Sequence, residues 1–141
     1  MNTLETFTYI PRGQRNHNPF NIRRTKTKWL GSLDKVHDKE FEEFENYDYG
    51  IRAGVILFRT YIRKYKLRTP REFITRFAPA SENDTNQYFK FLRLGGVSLD
   101  SVIVYPSPEF AHLLKEVCFF ESNLRISEDY IYSIINQFKL Y

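Results

Sequence analysis

Residues 107–122 read SPEFAHLLKEVCFFES, a stretch that announces a helix carrying one discordant residue. Ser107 offers a cap, and Pro108 and Glu109 fall in the first turn, as helix starts favour. Phe110, Leu114 and Val117 then recur at spacings of four and three, which marks one buried face. The next position on that face is Glu121. Lys115, Glu116 and His112 fall elsewhere. A carboxylate therefore stands where the periodicity asks for an apolar side chain, in the last turn, directly after Phe119 and Phe120. Burial beside aromatic rings disfavours the ionised carboxylate, and the negative end of the helix dipole acts in the same direction. An acid that stays protonated near neutral pH is what glycoside cleavage uses to protonate the leaving oxygen. Glu121 is thus the candidate catalytic acid. The competing reading is a side chain that reaches solvent past the helix end or pairs with a cation such as Arg125.

Working outward, helical periodicity dominates the chain from Gly50 onward. Ile51, Val55, Phe58, Ile62 and Tyr65 form one stripe, with Asp48 as the expected N-cap. Thr69-Pro70-Arg71-Glu72 is a capping box with proline at the first helical position; Phe73, Ile74 and Phe77 follow as its buried stripe. A third helix runs from about Asn83 or Asp84 to Leu94 and stops at Gly95-Gly96. The 107–122 helix is the fourth. Ser127-Glu128-Asp129 opens a fifth, striped by Ile131, Ile134, Ile135 and Phe138. Residues 28–45, with Trp29-Leu30 before Gly31-Ser32 and Phe41 and Phe44 beyond an acidic stretch, read as a small β-hairpin. Residues 11–28 read as an ordered, basic, asparagine-rich loop, and residues 1–10 as an N-terminal arm. The expectation is a mainly α single domain over residues 1–141, with about five helices and one hairpin.

Composition narrows the function classes. The 141 residues suit one core, and the net charge of +4 is mildly basic. No apolar run approaches the roughly 18 residues of a membrane span. The N-terminus lacks the basic start and apolar run of a secretory signal, so the expected protein is cytoplasmic until released, or virion-associated, with delivery to the cell wall left to a lysis pore, a virion or a secretion machine. The single cysteine, Cys118, lies in an apolar run and reads as a buried thiol. There is no metal-ligand spacing, phosphate-binding glycine loop, nucleophile elbow or helix-turn-helix reading head, so neither metal nor cofactor is expected and nucleic acid is a poor candidate partner.

Asparagine side chains carry both donors and acceptors, which suits sugar hydroxyls and acetamides. Equally, the Asn residues of 12–23 can satisfy their own loop backbone, the stronger reading for Asn16 and Asn21. His17 lacks a carboxylate at obvious spacing. Asn18, Trp29, Tyr49, Asn83 and Tyr88 are the candidate substrate-binding residues. Arg52 reads as an ion-pair or capping partner. No second catalytic carboxylate stands out, Asp34, Asp48 and Glu82 being weak candidates.

The order of these motifs resembles a family of phage and bacterial lysozyme-like proteins. The carriers are RGQRNHNPFNIR (12–23), KWLG (28–31), Phe41 and Phe44 before GIRA (50–53), LFRTYIRKY (57–65) and FITRFAPASENDTNQY (73–88). The family's pattern is close to RGxRNNNPxNIR, WxG, GIRA and WAPPxENxT, and the likeness spans roughly residues 12–92. His17 replaces an Asn of the pattern and Phe77 a Trp. The resemblance implies a lysozyme-like domain acting on peptidoglycan, with other virion or lysis proteins as further partners. A more distant likeness is to bacterial glucosaminidases and lytic transglycosylases, where an Asn-rich loop and a W-x-G follow a helix ending in Glu-Ser-Gly. Here Phe120-Glu121-Ser122 closes the fourth helix instead, with Asn123 in place of the Gly, which implies a catalytic helix moved in chain order. A non-catalytic virion or wall-binding protein on the same scaffold is the alternative.

Overall fold

The computed structural model describes residues 9–79 and 84–141. Six helices follow in order: α1 (Arg12–Arg15), α2 (Tyr47–Arg63), α3 (Pro70–Phe77), α4 (Thr85–Leu94), α5 (Pro108–Ser122) and α6 (Glu128–Gln137). The molecule is mainly helical, as the periodicity indicates. Of the expected N-terminal arm, residues 1–8 lie outside the described residues; Tyr9 and Ile10 are exposed.

Most helix boundaries follow their capping chemistry. Thr69 accepts from the Glu72 N–H while the Glu72 carboxylate accepts from the Thr69 N–H, the reciprocal box read from the sequence. Ser107 and Ser127 cap α5 and α6 through the N–H groups of Phe110 and Tyr130. Asp84 caps α4, which stops at Gly95. One cap differs: Asn46, not Asp48, opens α2 by accepting from the Tyr49 N–H. Asp48 sits in the first turn and accepts a 2.5 Å hydrogen bond from the Tyr130 hydroxyl, tying α2 to α6.

α5 is the central element. It packs against α1, α4 and α6, while α2 packs on α6 and α3 on α4. Phe110, Leu114 and Val117 are fully buried as expected, but so are Ala111, Leu113 and Cys118, so the helix is apolar around much of its girth. On α2, Ile51, Val55 and Phe58 enter the core, whereas Ile62 is half-buried, Tyr65 is exposed and Tyr61 is buried in its place. Phe58 is the aromatic hub, edge-on to Tyr61 at 5.3 Å and to Phe73 at 6.3 Å. Phe20, Ile22 and Phe44 anchor the long N-terminal segment to the same core. Each such side chain contributes on the order of 1.5–3 kcal/mol when fully buried.

The expected hairpin over 28–45 is not formed as two strands. The segment around 41–44 makes two isolated antiparallel bridges, Arg23 with Phe41 and Ser32 with Phe44. It lies between two short extended pieces and pairs with each only once. The loop expected over 11–28 also departs from expectation, since its start winds into the single turn α1.

Candidate functional site

The Asn-rich segment is built by its own side chains. Asn18 is fully buried; its amide donates to the carbonyls of Ile22 and Glu42 at 3.0 Å each, and its oxygen accepts from the Ile22 N–H at 3.0 Å. Asn18 is thereby corrected from substrate contact to loop scaffold: nothing of it reaches a groove. Asn16 donates to Asp38 at 2.9 Å. Asp38 also accepts from Arg12 at 2.6 Å and from the N–H groups of Glu40 and Phe41. Burial would raise the Asp38 carboxyl, but these donors outweigh it and hold it far below the usual range. Glu43 is treated alike: burial opposes ionisation, and donation from the Asp38 and His37 N–H groups and from Arg24 overcomes it. This carboxylate cluster fixes the 37–43 turn; Glu42 within it is also buried, and burial raises its carboxyl although Arg24 lies 3.6 Å away.

α5 reaches this segment at its last turn. The Ser122 hydroxyl, buried, donates to the Pro19 carbonyl at 2.7 Å. Gln14 donates to the Ser122 carbonyl at 2.8 Å. Gly13 permits the approach, because a Cβ there would lie 1.8 Å from the Ser122 Oγ. These contacts set Glu121 beside Asn21. The Asn21 amide donates to the Glu121 carbonyl at 2.9 Å and to its carboxylate at 3.3 Å. Asn21 holds a left-handed backbone, φ 50°, which Asn tolerates better than most residues. The expectation that Asn21 serves only its own loop is therefore corrected.

Glu121 is partly buried and opens into a groove of about 430 Å³. One wall is Asn21, Ile22, Arg23, Thr25 and Phe41; the other is Leu57 and Tyr61 of α2 with Phe77 and Ala78 at the end of α3. Burial raises the Glu121 carboxyl above its ordinary range, and contacts with Tyr88 and Asn21 offset this only in part. Arg125, the cation that could have neutralised it, lies instead over the Phe119 ring at 4.0 Å. Tyr88 is fully buried, stacked on Phe120 with ring centroids 3.8 Å apart. Its hydroxyl makes no hydrogen bond of good geometry among the described residues, yet lies close enough to Glu121 for each to perturb the other's titration. Tyr61, the phenol on the α2 wall, is pushed up to about 12, chiefly by burial.

The remaining expected contacts divide. Trp29 and Tyr49 do not line the Glu121 groove. Trp29 borders a separate trough, and Tyr49 packs beneath Gly31 and against Phe138 at 5.8 Å. Asn83 and Glu82 lie outside the described residues. Asp34 is exposed beside Lys28, and Asp48 is engaged by Tyr130. Among the described residues Glu121 is the groove's only carboxylate, and no cluster suited to a metal ion occurs. Sequence reasoning missed Phe41, Leu57, Tyr61 and Phe77 as groove walls. Their periodicity marks them only as apolar or core positions.

The arrangement is that of a partly buried acid, its pKa raised by burial, on the wall of a groove lined by both polar and apolar side chains. No family model matches the chain. Protein P5 of Pseudoalteromonas phage PM2 is 43% identical over 84 residues, a match covering 57% of this chain and 52% of that protein. The chain thus spans about half the length of this phage relative. No helix among the described residues is long and apolar enough to cross a membrane.

Proposed function

We propose that this protein cleaves the β-1,4-linked glycan strands of peptidoglycan, as a glycosidase or lytic transglycosylase on a lysozyme-like scaffold, with Glu121 as general acid. The observation that carries the reading is the Glu121 carboxyl: raised by burial, held by Asn21 and open to a groove of about 430 Å³. Phe41, Phe77 and Tyr61 are the aromatic residues among those lining the two walls, and aromatic side chains suit contact with sugar rings. In the proposed step Glu121 gives its proton to the glycosidic oxygen as the C1–O bond breaks. The leaving sugar departs as an alcohol. With no second groove carboxylate among the described residues, the substrate's own acetamide oxygen or 6-hydroxyl takes up the bond at C1, and the Glu121 carboxylate then serves as base. The phage relative suits delivery to the wall from a virion or during lysis, with virion or lysis proteins as partners. Zymography on purified cell walls with wild type and Glu121→Gln tests the reading. Loss of lysis in the variant with an unchanged helical spectrum is expected. Absence of lysis in the wild type, with wall binding retained, would favour the non-catalytic alternative.

A further inference from the structure

The chain's positive charge is concentrated in one stretch. Residues 59–76 hold seven cations and a single carboxylate, Glu72. That is a formal +6 against +4 for the whole chain, so the remaining residues sum to −2 (4 − 6). The stretch covers the end of α2, the turn that follows and α3. Residues 63–66 and 68 are all exposed. Two neighbouring acids are already engaged. The Glu72 carboxylate accepts from the N–H groups of Arg68 and Thr69, and Asp100 pairs with Arg71 at 2.8 Å. Lys64, Lys66 and Arg68 form no ion pair among the described residues.

Apolar side chains are exposed among these cations. The Ile103 N–H donates to the Arg68 carbonyl at 2.8 Å, which brings residues 102–104 alongside. Exposure alternates along that segment: Val102 is 52% exposed, Ile103 is buried and Val104 is 65% exposed. The two valines therefore share the outer side. Arg63 lies over the neighbouring Tyr105 ring at 5.3 Å and donates to the Tyr141 carbonyl at 3.2 Å. Tyr141 is itself exposed. Tyr65, also exposed, lies beneath Arg76 at 3.6 Å and beside Lys64 at 5.4 Å. Exposed apolar residues scattered singly are ordinary on a protein surface. Here two valines and two tyrosines are set among the cations. A phosphate-bearing polymer would engage the cations and leave the valines in water. A bilayer interface engages both: basic side chains meet anionic headgroups, tyrosine sits at headgroup level and aliphatic side chains gain by leaving water.

We infer that this face, Lys64, Tyr65, Lys66 and Arg68 with Val102 and Val104, binds the surface of a bilayer containing anionic phospholipid. The cations hold headgroup phosphates while the valines and Tyr65 enter the interface. None of these residues lines the Glu121 groove, so the inference stands apart from the glycan-cleaving reading. It gives the protein a hold on a membrane that needs no spanning helix.

The experiment sediments the full chain with vesicles of phosphatidylcholine alone and of phosphatidylcholine mixed with phosphatidylglycerol, over a series of salt concentrations. Binding to the mixed vesicles is expected, roughly tenfold or more above the neutral ones and falling as salt rises. Lys64→Glu combined with Lys66→Glu should reduce it by a similar factor. Both positions are exposed, so the helical spectrum should not change. Val102→Ser combined with Val104→Ser should weaken binding at every salt concentration, the highest included. No binding to the mixed vesicles, equal binding to the neutral ones, or undiminished binding in either double variant would each overturn the inference. A single-stranded oligonucleotide bound more tightly than the mixed vesicles, with the valine pair without effect, would assign the face to nucleic acid and overturn it as well. Loss or persistence of wall lysis in Glu121→Gln leaves these readouts unchanged, so the two readings fail separately.

Discussion

Asn21 and Glu121, one hundred positions apart in the chain, meet at two points: the Asn21 amide donates to both the carbonyl and the carboxylate of Glu121. One side chain thereby secures the end of α5 and orients the acid in the groove. Asn21→Ala should remove both contacts and place a residue with a Cβ but no compensating amide at φ 50°. A loss of about 1–3 kcal/mol in unfolding free energy is expected, read by denaturant titration. Donation from Asn21 lowers the Glu121 pKa, so the alkaline limb of any pH–rate profile should move to higher pH in this variant. An unmoved limb would mean that Asn21 acts on stability alone.

Glu121 itself should weaken the fold at neutral pH. Its carboxyl is raised above the ordinary value of 4.5, so between that value and the folded-state pKa the native protein binds more protons than the unfolded chain. Stability from this group is therefore full below pH 4.5 and declines as pH rises through the folded pKa. Glu121→Gln should melt at a higher temperature than wild type at pH 7, with the difference shrinking as the pH falls to 4.5 and below. Thermal melts at several pH values check this; a variant less stable than wild type at pH 7 would contradict it.

The carboxylate cluster around Asp38 should behave in the opposite sense. Asp38 and Glu43 are held below their ordinary values by converging donors, despite burial that opposes this. They stabilise the fold above the unfolded-state range near 4 and lose that contribution as pH falls through their folded values. Asp38→Asn should cost roughly 1–3 kcal/mol at pH 7, since it weakens hydrogen bonds made to a charged group. The partner Arg12 is 39% exposed in its side chain, which screens the pair and keeps the effect below that of a buried one. The penalty should narrow on acidification, as chemical denaturation at pH 7 and pH 3 would reveal.

Gly13→Ala should disturb both fold and site. The added Cβ would lie 1.8 Å from the Ser122 Oγ and 2.8 Å from the Asn18 carbonyl oxygen, one of them backbone. A destabilisation of about 1–3 kcal/mol is expected, with a fall in wall lysis larger than that from a core substitution of equal cost, because the end of α5 must shift. Comparison with Ile134→Val, a buried position on α6 away from the groove, separates the two effects.

Helices with strong local signals were the legible part of this chain. Thr69 and Glu72, Ser107, Ser127 and Gly95 declare their boundaries within four residues of sequence. Glu121 stood out because it breaks a stripe whose other members are apolar. What could not be read locally depends on pairings across the chain. Asn46 and Asp48 are both competent caps, and Asp48 is diverted by Tyr130, 82 residues later. Asn18 and Asn21 are chemically alike and three positions apart, yet one is spent on the loop backbone and the other on α5. The bridges at Phe41 and Phe44 give single pairings in place of a hairpin because residues 40–45 serve two neighbours in turn. Phe77 looked like a core residue of α3, and it does touch Phe58 of α2, yet it also lines the groove, which follows only from how the segments assemble.

The most direct test of the central claim is the release of soluble saccharides from purified peptidoglycan by wild type and by Glu121→Gln, each verified as folded. The account predicts cleaved strands from the wild type and a rate at least about 100-fold lower from the variant. Release by the variant at the wild-type rate would contradict it and leave the groove without its acid.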